Sequence, residues 1–207
     1  EEGDTGNSYA SGDKEDLQLP VCQRRLMQAV AETGKPVVLC MLAGSDIDMS
    51  YGIEHFEAIL QLWYPGARGG NAVGEILFGK ESPSGKLPIT LYENLSELPA
   101  FEDYSMTGRT YRYMKGKAQY PFGYGLTYGK AEVESAEVSE NEKGVAVSVK
   151  VRNTGDREIC EVLQIYIKCM DSVYAVPNPQ LCGFKRVELL QKEEKTVSIQ
   201  ISDEAFT

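Results

Sequence analysis

The chain has 207 residues, 42% of them hydrophobic and 25% charged, the proportions of an ordinary globular protein with room for one or two cored domains. Its formal net charge of −10 argues against nucleic acid and anionic membranes as partners. No apolar run approaches the roughly 20 residues that a membrane span requires.

The first sixteen residues, beginning "EEGDTGNSYASGD", read as a polar loop. "DLQLPVCQRRLMQAVAETG" follows, with Val21, Leu26, Met27 and Val30 at helical spacing, Pro20 near the start and Gly34 as a stop. "KPVVLCMLAG" is a continuous apolar run, the pattern of a strand buried on both faces in a parallel sheet. "FEAILQLWY" suits a short helix or a strand, "GGNAVGEILFG" a helix after a tight turn, and "GKLPITLY" another strand. Helices alternating with buried strands predict an α/β layer. Near Gly129 the pattern changes. "AEVESAEVSE", "GVAVSVKVRNTG", "CEVLQIYIKC" and "KTVSIQIS" alternate apolar and polar residues with period two, which predicts half-exposed antiparallel strands of a β-sandwich. The chain stops just after such a run and opens without a preceding element, so it reads as a piece of something longer.

The residue inventory limits the chemistry. His55 is the sole histidine, so neither a histidine metal cluster nor a Ser-His-Asp triad is on offer. Cys22, Cys40, Cys160, Cys169 and Cys182 are odd in number and lack CxxC spacing. They read as reduced structural thiols, with Cys22 and Cys40 behaving as small hydrophobes in apolar runs. Any reaction has to rest on carboxylates or lie elsewhere.

Four stretches qualify as sites, each with a plainer alternative. "EEGD" groups Glu1, Glu2 and Asp4 in one loop; they are solvated surface charges or include a general acid kept protonated by burial or by a neighbouring carboxylate. "AGSDIDMSYG" sets Asp46 and Asp48 after a strand end, where α/β loops carry function, or where a turn and a helix cap need carboxylates. "GRTYRYM" and "YPFGYGLTY" bring Arg109, Arg112 and several tyrosines together, as a packing cluster at a domain seam or as a polar-aromatic wall for a sugar. Arg109, Tyr111, Arg112, Tyr120 and Phe122 are expected near that seam. "WYPGARGGNAV" has neither the GK[ST] of a P-loop nor a GxGxxG, so its glycines read as backbone geometry rather than a phosphate cradle.

Taken in order, "LPVCQRRLMQAV", "PVVLCMLAGSDIDMS", "AILQLWYPGARGGNAVGEILFGKESPSGKLPIT", "GRTYRYM", "YPFGYGLTY", "VSVKVRNTGDREICEVLQIYI" and "QLCGFKRVEL" resemble the C-terminal half of glycoside hydrolase family 3, its β-glucosidases above all. The resemblance covers nearly the whole chain. It implies an α/β sandwich domain over residues 1–128, followed by an all-β fibronectin type III-like (immunoglobulin-like) sandwich over residues 129–207, truncated at its C-terminus. In the family an N-terminal (β/α)8 barrel carries the Asp nucleophile, and no residue here matches that motif. The α/β domain supplies the acid/base Glu from a loop upstream of an "LPxxQ" helix. That order places the role on Glu2, which Gly3 follows, with Glu1 as the alternate. The implied activity is exo-acting hydrolysis of β-linked glucosides or oligosaccharides, with β-xylosidase specificity or a non-catalytic carbohydrate-binding module as rival readings. Neither metal nor organic cofactor is required, and the chain without the barrel is expected to be inactive. "WYPGARGGNAVGEILFGKESPSGKLPIT" becomes scaffold, with Trp63 and Tyr64 packing rather than stacking on sugar.

Overall fold

In the computed structural model, residues 16–100, 102–142 and 144–206 are described. Backbone contacts divide the described residues into two units: those up to 72, of 90–109 and of 114–121 in one, and those of 73–89, of 110–113 and from 122 on in the other.

The first unit is α/β. Helix α1, Val21–Ala31, begins after Pro20, whose carbonyl accepts the Gln23 and Arg24 N–H groups. Strand β1, Val38–Met41, pairs in parallel with β2, Ala58–Gln61, in the register Val38↔Ala58 to Met41↔Gln61. Helix α2, Ser50–His55, lies between them in sequence, so this is a strand–helix–strand unit. Gly52 is what lets α2 sit down: a Cβ there would lie 2.9 Å from Leu39 Cδ2 and 3.3 Å from Ile59 Cδ1. The ambiguous "FEAILQLWY" therefore resolves as a strand.

Two expectations for this unit fail. β1 is not buried on both faces; Met41 is buried, but Val38 and Leu42 are 42% and 62% exposed. Parallel strands are buried when helices cover both faces, and among the described residues this sheet has only two strands. "GKLPITLY", which passes from the second unit to the first after Ile89, is not a strand: it bends at Pro88 and Ile89 and carries one isolated bridge, Leu91↔Tyr120. Pro88 has no N–H and interrupts the ladder. On either side the backbone still bonds to distant residues of its own unit: the Leu87 N–H donates to Tyr124 O at 2.8 Å in the second unit, and the Leu91 N–H to Tyr120 O at 2.9 Å in the first. Helix α1 forms as expected, yet only Met27 of its apolar positions is buried, while Val21 and Leu26 are exposed.

Helix α3, Gly69–Leu77, spans the division between the units. At its C-terminal end, Ile76 O accepts from the Gly79 N–H at 2.9 Å and from Tyr128 Oη at 2.7 Å, and just beyond the helix Arg157 Nη1 donates to Gly79 O at 3.3 Å, all within the second unit. A single-turn helix α4, Thr110–Tyr113, follows.

The rest of the second unit is antiparallel. Strands β3 (Ala131–Asn141), β4 (Gly144–Asn153) and β7 (Glu194–Ile201) form one sheet in the order β3-β4-β7; β5 (Ile159–Ile167) pairs with β6 (Gln180–Leu189). The inward residues of both sheets make one core: Val147, Val149 and Val151 from β4, Ile159 and Leu163 from β5, Val187 and Leu189 from β6, and Val197, Ile199 and Ile201 from β7. Among the described residues from 145 to 200 there is no helix. Sequence periodicity missed β6, because Gly183, Lys185 and Arg186 spoil its alternation and the β5–β6 register shifts between Ile165 and Tyr166. β3 is an edge strand whose Val133 and Val138 are exposed; Glu132 pairs with Lys130 at 2.5 Å and Glu134 with Lys150 at 3.0 Å.

Candidate functional site

The first cluster lies beyond the carboxyl end of β1, where parallel strands of α/β folds deliver functional loops. Asp48 is its centre. Its Oδ1 accepts from the Ser50 N–H at 2.8 Å, the Ser50 hydroxyl at 2.5 Å and Gln119 Nε2 at 3.2 Å. Its Oδ2 accepts from Gln18 Nε2 at 2.6 Å, and its own N–H donates to Leu17 O at 2.8 Å. Burial pushes the carboxyl pKa up, but the hydrogen bonds from Ser50, Gln18 and Gln119 outweigh it and hold Asp48 below the usual aspartate value. An ionised carboxylate with this many donors is no proton donor at neutral pH. It is a clasp. Asp46 accepts the Tyr92 N–H at 2.7 Å. The turn-forming alternative accounts for the bonds of Asp48 to Ser50, while its bonds to Gln18 and Gln119 and that of Asp46 to Tyr92 reach 30, 71 and 46 residues away.

Gln119 had no signal in the sequence. It lies 71 residues from Asp48. Its Oε1 accepts the Met49 N–H at 3.0 Å, and its backbone N–H donates to Leu91 O at 2.9 Å. Leu91 is 1% exposed, so the clasp is rooted in the best-buried residue of this unit. Beside it, Gln61 Nε2 donates to Ala43 O at 2.8 Å and ties the two strand ends together.

Trp63 and Tyr64 follow β2 at the same edge. Trp63 is half-buried with φ 54°, a strained value for a bulky side chain. Tyr64 lays its ring against Gly44, whose added Cβ would fall 2.4 Å from Tyr64 Cε2, while the side chain stays 70% exposed.

The arginine-tyrosine motifs separate. In the first unit Arg109 Nη2 donates to the carbonyls of Ala100 at 2.8 Å, Asp103 at 3.1 Å and Pro99 at 3.4 Å, stapling its own loop. Next to that loop is a shallow cleft of about 370 Å³ lined by Leu98, Pro99, Thr107, Gly108, Met114, Lys115 and Gly116. Tyr120 belongs to the first unit and pairs with Leu91. Tyr111, Arg112 and Phe122 belong to the second. There Tyr111 stacks on Phe122 at 4.1 Å, meets Tyr166 edge-on at 6.4 Å and accepts the Leu181 N–H on its hydroxyl at 3.1 Å. Arg112 stands 5.9 Å from the Tyr111 ring centre. Burial first, and Tyr111 second, push the Tyr166 hydroxyl pKa up, and it donates to Gln164 Oε1 at 2.6 Å. These aromatic faces pack on one another.

Another pair in the second unit was invisible in the sequence. Lys86 and Glu161, 17% and 15% exposed, meet at 2.7 Å, and Lys86 also donates to Gly125 O at 2.7 Å. Gly125 and Gly85 explain why "SPSGKLP" and "YPFGYGL" carry glycine: a Cβ on Gly125 would stand 1.9 Å from Gly85 O.

The predicted catalytic residues Glu2 and Glu1, with Asp4, lie outside the described residues. Among the described residues no group of three or more His, Cys, Asp or Glu side chains could hold a metal ion, and no helix is long and apolar enough to cross a membrane. All five cysteines are free; Cys22 is exposed rather than packed, and Cys40 is half-buried. His55 is exposed and stacks on Tyr51 at 4.1 Å.

Residues 2–128 match the Glycosyl hydrolase family 3 C-terminal domain, and residues 161–207 the Fibronectin type III-like domain. A xylan 1,4-beta-xylosidase of Xylanibacter ruminicola is 39% identical over 96% of this chain and 23% of its own length. A periplasmic beta-glucosidase of Salmonella typhimurium is 34% identical over 97% of this chain and 28% of its own length. The crystal structure of a Bifidobacterium adolescentis GH3 beta-glucosidase superposes with a TM-score of 0.85 at 30% identity, covering 95% of this chain and 31% of that one. The chain thus spans about a quarter of the length of the curated relatives it matches. With the α/β unit and the antiparallel unit both matched in their expected order, the chain belongs to glycosyl hydrolase family 3.

Proposed function

We propose that the protein to which this chain contributes is an exo-acting retaining β-glycosidase that releases terminal β-D-glucosyl residues from glucosides or oligosaccharides. The observation that carries this is the family 3 match over residues 2–128, beside relatives named as beta-glucosidases. Glu2, with Glu1 as alternate, is assigned the acid/base role. The nucleophilic carboxylate is assigned to a (β/α)8 barrel upstream, at the roughly 5–5.5 Å separation that retention requires.

The chemistry follows from two carboxyl groups. The barrel carboxylate attacks the anomeric carbon while the protonated Glu gives its proton to the leaving oxygen. The same Glu, now ionised, takes a proton from water as that water attacks the glycosyl-enzyme. To hold its proton near neutral pH the Glu needs burial or a neighbouring carboxylate, and the Glu1–Glu2–Asp4 grouping offers the latter. This chain on its own has one half of the pair and is expected to hydrolyse nothing. A second specificity, for terminal β-xylosyl residues, is favoured by the 39% identity to a protein named as a xylosidase.

The test uses the full-length gene product on aryl β-glucoside and aryl β-xyloside, which separates the two specificities. Glu2→Gln and Glu1→Gln follow on the better substrate. The true acid variant loses roughly 10²–10⁴-fold on poor leaving groups, much less on dinitrophenyl glycosides, and recovers turnover with azide. If neither variant behaves so, the acid/base group lies outside this loop.

A further inference from the structure

We infer that the core-side face of β3 seats a further β-strand, carried by a part of the longer protein outside these 207 residues and added to the free edge of β5. The inference rests on the reading that this chain is one portion of a longer protein, and on no assignment of substrate or acid/base residue. It starts from the register of β3 on β4. Val133 stands opposite Val151, Ala136 opposite Val149 and Val138 opposite Val147. Residues directly opposite in an antiparallel pair point to the same side of the sheet, and Val147, Val149 and Val151 are core residues. The apolar residues of β3 therefore point to the core side as well. Yet Val133 is 59% and Val138 72% exposed, against 0% for Val151 and 7% for Val147. The bulge between Val133 and Ser135 sharpens the point. In "AEVESAEV" the apolar residues stand two, three and two positions apart, so an unbroken strand would turn Ala136 and Val138 to the outer face. The extra residue of the bulge returns them to the inner one.

The opposite sheet shows what fits that face. β6 lies across β7: a Cβ on Gly183 would stand 2.9 Å from Ile201 Cδ1 and 3.0 Å from Ile199 Cγ2. Ile159 and Leu163 of β5 share the core with the β4 valines, so β5 lies across β4. Among the described residues that sheet ends at β5, whereas its partner sheet continues to β3. Neighbouring strands stand about 4.8 Å apart, so the next position beyond β5 lies over β3. An unpaired strand edge above an apolar face takes an extended segment with apolar residues at alternate positions. A helix there would leave the β5 backbone groups unpaired. A second copy of β3 is the wrong occupant, because Glu132, Glu134, Glu137 and Glu140 would meet their own kind. This chain covers 23% and 28% of two curated relatives, so a protein of their length has ample further chain to supply the strand.

The test labels cysteines in the full-length gene product. Val138→Cys probes the core side of β3, and Glu137→Cys the outer side, where Glu137 is exposed opposite Ser148. Val133→Cys repeats the core-side reading near the other end, should Val138→Cys fail to fold by its thermal melt. A pulse of N-ethylmaleimide is read by peptide mass spectrometry, which separates the introduced thiol from the five native ones. The thiols at positions 138 and 133 are expected to react about a hundredfold more slowly than the one at 137. Rates within about threefold of one another overturn the inference. Protection that vanishes on dilution to nanomolar protein assigns the cover to a second copy and overturns it too. A gene product with no chain beyond these residues removes the occupant, and the inference falls together with the reading on which it rests. Protection in a full-length protein that hydrolyses no glycoside supports the inference and counts against the proposed activity alone.

Discussion

The two units bury their apolar residues by different means. In the antiparallel unit, valines, leucines and isoleucines of β4, β5, β6 and β7 face one another, and Val151 and Leu189 are wholly inaccessible. In the α/β unit the buried set is small: Met27, Met41, Ala43, Ile47, Met49 and Leu91, beside exposed Val21, Leu26, Val38, Leu42 and Ile53. What holds distant parts of that unit together is largely polar: Asp46 to Tyr92, Asp48 to Gln18 and Gln119, Gln61 to Ala43. A facing pair of alternating sheets supplies its own core. A two-stranded parallel pair does not, and side-chain hydrogen bonds spanning tens of residues carry more of the load.

Hydrogen exchange puts the largest number on that contrast. Amides of Val147, Val149 and Val151 are expected to exchange about a thousandfold more slowly than those of Leu39, Cys40 and Met41, a gap of roughly 4 kcal/mol in opening free energy. Equal protection in the two sets would break the comparison.

Within the antiparallel unit, the close approach of Gly125 to Gly85 is the sharpest packing constraint. Gly125→Ala puts a methyl group where Gly85 O stands, and a backbone oxygen cannot step aside as a side-chain tip can. We expect a loss of about 3 kcal/mol, read by urea unfolding, in the range of overpacking substitutions. A loss below about 1 kcal/mol would mean that the two glycine motifs tolerate separation.

The Lys86–Glu161 pair tests polar burial in the same unit. Glu161→Leu strands a mostly buried ammonium and is expected to cost about 2 kcal/mol, less than a fully buried pair because both partners retain some water. The double change Lys86→Met with Glu161→Leu should recover most of that loss. Additive losses would show that the two residues act separately.

The sequence was most legible where burial follows a simple period. β4, β5 and β7 alternate because one face meets the core, and α1 and α3 carry helical spacing with clear stops. β6 was hidden by a glycine and a register shift, and the Lys86–Pro88 stretch looked like a strand because its composition is strand-like while Pro88 breaks its ladder. The specific motifs announced the family through glycines whose reason, the Gly85–Gly125 approach, exists only in three dimensions. Asp46 and Asp48 stood out as carboxylates after a strand, but Gln18 and Gln119, which decide what Asp48 does, belong to no pattern. Partners so far apart in sequence leave no local trace.

The smallest effect concerns Asp48 and acid. Its folded pKa lies below the ordinary aspartate value because hydrogen bonds to the carboxylate outweigh the burial that opposes ionisation. The folded state therefore binds this proton less readily than the unfolded state. Its contribution is present above the unfolded pKa and is lost as pH falls through the folded one. Asp103, Glu193 and Glu194 also lie below their usual values, so the chain's overall acid slope is shared, and the informative quantity is the difference between wild type and Asp48→Asn. That difference should be about 1 kcal/mol or less at neutral pH, after allowing for solvent screening of a half-exposed group, and should shrink toward zero as both proteins are taken below the aspartate range. Unfolding curves collected from pH 7 down to the acid limit read it directly. A difference that stays constant with pH would mean that Asp48 acts through shape alone, and the α/β unit would lose the charged tie that sets it apart from its neighbour.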